Sequence, residues 1–317
     1  MRGDLKEMTG VMSNVVPIIL LILFGYIIRI KGLLKTETMI GIKKLVLDIS
    51  LPAILFSTFL NMNFEKGYFL IILISFAMLC VFFLIGFFIN KFKPLYHPMN
   101  PFVSSAFCFG LLGIPLFGTV FGSENLGKIS ILGVGNELFC WLVYYNTLEL
   151  RFNDKKFSIH ILKELFKSPL LISIFVGMIF NILGFAELFR TNVLLIGFYS
   201  TIQYIANLGT PLILLIIGFT LRFNKEYTKK SIKFVTIRMI VILVVGYLIK
   251  FLIMDKLIVE DRIFNYAYFT FLILPLPFSL PIFSGKHCPE YEELINNTVI
   301  LSTMLCILIF IIFILLI

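Results

Sequence analysis

A chain of 317 residues in which 59% are hydrophobic and only 14% charged cannot cover a soluble fold with polar surface, which leaves the lipid bilayer as its solvent. The net charge of +9 raises nucleic acid as a partner, but the basic residues sit in short clusters between apolar runs with no aromatic-interleaved basic face, so that class is excluded. Five cysteines without a C-x-x-C pair and three scattered histidines give no zinc constellation, and no cofactor is expected.

The polar stretch 1–14 leads into a first apolar run that ends at Arg29-Ile30-Lys31-Gly32 without a small-residue cleavage site. It reads as a first span and not as a removable signal. Ten apolar segments follow in order, at 14–30, 45–60, 68–90, 102–122, 129–150, 169–188, 193–221, 234–254, 264–285 and 298–317, compared with about 20 residues for one crossing of a bilayer core. The second is short and holds Pro52; the seventh is long and holds Gly209-Thr210-Pro211. Arg238 and Lys250 fall near the ends of the eighth, where long cationic side chains snorkel. Alternate loops carry 18 of the 27 lysines and arginines, among them Lys43, Lys44, Lys155, Lys156 and Lys163, and the opposite loops carry 7, among them Lys66. Basic loops face the cytoplasm, which predicts a multi-pass protein of the cell membrane with both termini extracytoplasmic.

Prolines repeat along the chain. Pro52 in Leu51-Pro52-Ala53-Ile54-Leu55 has a counterpart in Thr210-Pro211-Leu212-Ile213-Leu214; Pro115 follows Pro52 by 63 residues and Pro275 follows Pro211 by 64, with Pro277 beside it. Five spans is an odd number, so two such halves are inserted in opposite directions. The fold class predicted is therefore an all-α integral membrane protein: ten transmembrane helices in two inverted five-helix repeats, 1–150 and 151–317, with spans 4 and 9 broken and crossing. In span 4, Gly110 and Gly113 weaken the helix and Pro115 opens a new half-helix, which puts the break at Gly113–Pro115. In span 9 the break falls at Pro275–Pro277. Two half-helix N-termini then converge at the midplane, where their partial positive charge suits an anion.

Ionisable residues inside spans are functional candidates. Asn136 and Glu137 lie well inside span 5. Asn136 either contacts substrate or hydrogen-bonds the unwound span 4, and Glu137 either takes up a proton during transport or holds the same backbone. Ser279, between Pro277 and Pro281, is the hydroxyl candidate of the ninth break. Cys108, Gly110, Gly113, Pro115, Asn136, Pro275, Pro277 and Ser279 thus form the predicted substrate site, and Glu137 the proton-coupling residue.

Leu23-Phe24-Gly25-Tyr26-Ile27-Ile28-Arg29, Leu51-Pro52-Ala53-Ile54-Leu55-Phe56, Gly113-Ile114-Pro115, Lys167-Ser168-Pro169-Leu170-Leu171 and Gly209-Thr210-Pro211, with the proline-rich ninth span, make an ordered set along the whole chain. In this set the sequence resembles the auxin efflux carrier family, membrane transporters that include plant auxin exporters and bacterial malate or malonate permeases. The resemblance implies a scaffold from spans 1, 2, 6 and 7, a transport domain from spans 3–5 and 8–10, elevator-like motion and a homodimer formed through the scaffold. It also implies an asparagine five residues before Gly113. This chain has Cys108 there, a weaker donor than an amide.

The function expected is secondary or facilitative transport of a small organic anion, auxin-like or a dicarboxylate, with proton or sodium coupling. A sodium-coupled carrier of the bile-acid symporter type and a transporter-fold sensor without flux are the alternatives. No HExxH, GxSxG or P-loop sequence occurs, so neither an enzyme nor an ATP-driven pump is expected.

Overall fold

A computed structural model describes residues 2–64, 67–152, 167–222, 224–257 and 261–317, with side chains described from residue 16 onward. The expected loop residues Lys66, Lys155, Lys156 and Lys163, and His160, lie outside the described residues. The described elements are helical, with no strand among them.

In chain order the helices are α1 (Arg2–Ile30), α2 (Thr36–Leu45), α3 (Leu51–Asn61), α4 (Tyr68–Ile89), α5 (Asn100–Val103), α6 (Ile114–Phe121), α7 (Leu126–Phe139), α8 (Tyr145–Phe152), α9 (Pro169–Ile182), α10 (Phe185–Thr191), α11 (Val193–Thr220), α12 (Thr228–Ile249), α13 (Arg262–Ile273), α14 (Leu280–His287) and α15 (Glu292–Leu316). Among the described residues five stretches are long and apolar enough to cross a membrane: Tyr68–Ile89, Ser123–Phe152, Val193–Thr220, Thr228–Met254 and Pro289–Leu316. Thr228–Met254 has a mean hydropathy of 2.4 with only 22% of its window buried, a combination that lipid tolerates and water does not.

The predicted sixth segment, 169–188, is not one straight helix. α9 and α10 meet at 83°, and Gly184 between them has φ +75°, a left-handed turn that glycine adopts without a Cβ penalty. Counted as one bent span, the pair would be a sixth crossing. Val16–Ile30 and Phe109–Phe121 are apolar but shorter.

Two prolines enter helices by one local device. Leu51 donates its N–H to the Val46 carbonyl, and Ile114 donates to that of Phe109, five residues back. Both bonds close a π-helical turn, Val46–Ser50 and Phe109–Gly113, and Pro52 and Pro115 follow one residue later. The wide turn gives the pyrrolidine ring room where an α-turn would clash with it. Pro211, by contrast, lies inside the unbroken α11.

Side-chain caps start two of the helices. Asn192 accepts from the N–H groups of Leu194 and Leu195 at α11, and Asp261 from those of Ile263 and Phe264 at α13, satisfying amides that a helix N-terminus leaves unpaired. α1 lies against α11 with backbones in close approach: a Cβ on Gly25 would meet the Leu215 carbonyl, and one on Gly218 the Ile22 carbonyl. α3 packs on α9 and on α11. Separately, α4 packs on α7 and α12, α7 on α13, and α15 on α12 and α14. Small residues at such contacts allow the dispersion packing that holds helices together in lipid.

Candidate functional site

Two irregular segments meet in the interior. The first runs through Ser104–Cys108, between α5 and the π turn that opens α6; the second runs through Leu274–Ser279, between α13 and α14. The second break is where the sequence places it. The first is not: it lies N-terminal to Gly113–Pro115, which form part of a continuous half-helix beginning at Phe109. The π turn absorbs Pro115, so the proline does not break the chain where it stands.

In an apolar interior every freed backbone group needs a partner. The two breaks partner each other first, Cys108 N–H donating to the Pro275 carbonyl at 2.8 Å. Asn136, on α7, closes a reciprocal pair with Phe107: its oxygen accepts from the Phe107 N–H at 2.9 Å and its amide donates to the Phe107 carbonyl at 3.1 Å. The structural reading of Asn136 is therefore the bond observed. Leu276 N–H reaches the Ser302 hydroxyl at 3.5 Å.

Arg238 does the most. It is the eleventh residue of α12, 1% exposed, and it corrects the snorkelling expected from sequence. Its guanidinium donates to the carbonyls of Val103 at 2.8 Å, Ser105 at 2.9 Å, Ala106 at 2.7 Å and Leu274 at 3.3 Å, so one side chain ties both breaks. Its carbon lies 4.9 Å from the Phe107 ring centroid, a cation–π contact. Ala106 has φ +55°, a conformation that costs a non-glycine residue about 1–3 kcal/mol; the Arg238 bond to its carbonyl helps to hold it there. Helix α12 begins at Thr228, ahead of the hydropathy boundary at 234, and this puts Arg238 deep inside the helix.

The predicted site residues gather here. Gly113 faces Leu274 across the joint, where a Cβ would come within 2.8 Å of its side chain. A Cβ on Gly110 would lie 3.4 Å from the Leu51 side chain, ordinary contact, and no close approach requires glycine there. The Pro277 carbonyl accepts the Leu280 N–H at 3.0 Å as α14 begins. The Cys108 sulfur faces the N–H groups of Leu111 and Phe278, one from each half-helix start, without forming a side-chain cap.

Beside this joint stand Glu137, Trp141, Tyr145, Phe278 and Ser279, each partly buried, with the Trp141 and Tyr145 rings 5.5 Å apart. Glu137 lies beside the Trp141 side chain, and the hydroxyls of Tyr145 and Ser279 lie 2.7 Å apart. Lys43, from α2, stands 5.9 Å over the Phe278 ring. Tyr145 and Lys43 were not picked out in the sequence, the first because a tyrosine in an aromatic run carries no local signal, the second because it stands in a run of charge.

A cavity of about 760 Å³ opens elsewhere, between α3, α10 and α11 on one wall and α6 and the start of α7 on the other. Ser57, Thr58, Asn61, Arg190, Gln203 and Thr210 line the first wall, Thr119 and Lys128 the second. None of the predicted site residues lines it, although Ile114, between Gly113 and Pro115, does. Arg190 donates to Asn61 at 3.1 Å, and Lys128 pairs with Asp261 at 2.7 Å. Asn207 and Thr210 both face this space. Among the described residues there is no group of three or more His, Cys, Asp or Glu able to hold a metal ion.

Residues 10–315 match the model of a family described as membrane transport protein. An uncharacterized transporter of Methanocaldococcus jannaschii is similar at 26% identity over 231 residues, 70% of this chain and 71% of its own length.

Proposed function

The chain belongs to this membrane transport protein family, and from that premise we propose that it is a secondary carrier moving a small organic anion across the cell membrane. One observation carries the reading: two broken segments joined at Cys108 and Pro275, with amides of both half-helices turned toward the Cys108 position. Amides at helix starts favour negative charge, and an apolar surround strengthens that preference. A carboxylate is the small anion that fits.

Ten spans in two inverted halves give this joint its place near the middle of the bilayer. The matching breaks in the fourth and ninth segments support that topology, and the alternation of basic loops supports extracytoplasmic termini. The contacts support the division of labour as well. α1, α3, α9 and α11 pack as one set, and α4, α7, α12, α13, α14 and α15 as another. The 760 Å³ cavity opens between walls from α3 and α11 and from α6 and α7, which also touch, α11 on α6 and α3 on α7; sliding of the second set against the first would close it and carry the joint with it. This is elevator-like alternating access, with the first set as scaffold and homodimer interface. Glu137 beside the joint takes up a proton as the anion binds.

The test is thermal stabilisation of the purified protein by a panel of carboxylates and their neutral amides, with and without sodium and across pH. A ligand that binds the folded state raises apparent stability with occupancy. Stabilisation by at least one acid, and not by its amide, is expected; stabilisation only by neutral solutes would remove the anion from the account.

A further inference from the structure

We propose that Lys43 is the cationic partner of the transported carboxylate, contributed to the joint by the opposite set of helices; this rests on the anion-carrier reading. Lys43 sits on α2, which runs through the Val46–Ser50 π turn directly into α3. Its side chain is half-buried, with the ammonium over the Phe278 ring at 5.9 Å from the centroid. Phe278 in turn offers its N–H toward the Cys108 sulfur. Among the described residues Lys43 has no carboxylate partner and no hydrogen bond, whereas Lys128, Lys250 and Arg238 are all engaged. An ammonium held against an aromatic ring and lacking a counter-ion is costly, and it is the arrangement an incoming anion relieves.

The placement assigns a role in the cycle. Cys108, Phe278 and Ser279 belong to the crossing segments, and Lys43 to the helix continuous with α3. A carboxylate at the Cys108 position, within the field of Lys43, is held from both sets at once. Movement of the crossing segments along α3 separates the anion from Lys43, so affinity falls as the site changes sides. Lys43 thus selects for charge in one state and favours release in the other.

Trp141 is the single tryptophan and lies beside Glu137 and Tyr145, so its fluorescence reports occupancy. The full-length protein in detergent is titrated with butyrate, malonate and succinate, each against butyramide, malonamide and succinamide. Loss of a charge-assisted contact predicts that K43Q binds the preferred acid at least about tenfold more weakly, with amide affinity unchanged and K43R restoring most of the loss. A second measurement uses the unmodified protein: the preferred acid slows acetylation of Lys43 by an N-hydroxysuccinimide ester, while the exposed neighbour Lys44 reacts at its usual rate. If the protein separates acids from amides but K43Q does so equally well, or Lys43 is not protected, Lys43 is not the partner and the carrier reading stands. If the unmodified protein prefers no acid over its amide, both fall.

Discussion

Replacing Arg238 with glutamine removes the tie between the two breaks. The guanidinium supplies four hydrogen bonds of 2.7 to 3.3 Å to Val103, Ser105, Ala106 and Leu274. A glutamine amide has two N–H donors and a shorter stem, so at least two of those carbonyls lose their partner. A buried carbonyl left unpaired costs about 1–3 kcal/mol, which puts the loss at about 2–6 kcal/mol. The guanidinium also carries a desolvation cost that glutamine avoids, and this pulls the figure toward the lower end. At about 2 °C of melting temperature per kcal/mol for a chain of this size, R238Q should melt about 4–12 °C below the unmodified protein. Size-exclusion chromatography of detergent-solubilised samples after graded heating reads this directly. R238K keeps the charge and three donors and should recover part of the loss. Should R238Q melt within about 1 °C of the unmodified protein, the carbonyl cage does not hold the joint together.

Asn136→Ala leaves the Phe107 N–H without a partner in an apolar interior, while the Phe107 carbonyl keeps the Phe109 N–H at 2.9 Å; the loss is about 1–3 kcal/mol, and the same heating assay should show it. Gly218→Leu sets a side chain against the Ile22 carbonyl, so α1 and α11 must part; monodisperse protein should be lost, and an unchanged elution profile would contradict the close approach. For Asp261, burial alone would raise the carboxyl pKa, but the Lys128 hydrogen bond and charge and the N–H groups of Phe264 and Ile263 outweigh it and hold it below its usual value. A lowered folded pKa stabilises above the unfolded value of about 4 and is lost as the pH falls through the folded one. D261N should therefore flatten the acid side of a melting-temperature profile between pH 3 and 7, and parallel profiles would count against the pair. Glu137→Gln should abolish the response of uptake to a pH gradient while leaving acid binding in place; an unchanged response removes Glu137 from coupling.

How much of this was legible depended on whether the cause lay nearby in the chain. The ninth break carries its own cause, three prolines between 275 and 281, and it stands where it was expected. The fourth break holds no proline. Its irregular segment at Ser104–Cys108 is held by Asn136 and Arg238, distant in sequence, and nothing local announces a partner of that kind. Pro115 drew attention to the wrong residues because the π turn before it accommodates the ring. Arg238 was misread because hydropathy starts the eighth helix at 234, whereas the lysine-rich turn from Thr228 onward is already helical. Lys43 was hidden by the same averaging, since its neighbours made it look like one more loop charge. The bend at Gly184 was hidden in an apolar run that continues through it.

The central claim is flux of a small organic anion, and solute counterflow in proteoliposomes tests it most directly. Vesicles loaded with the unlabelled acid preferred in the stabilisation panel are diluted into a trace of the labelled acid, with no ion gradient imposed. A carrier that exposes one site to alternate sides should show a transient overshoot of label, absent with the neutral amide. Label entering no faster than into protein-free vesicles, despite measurable binding of the same acid, would contradict the account.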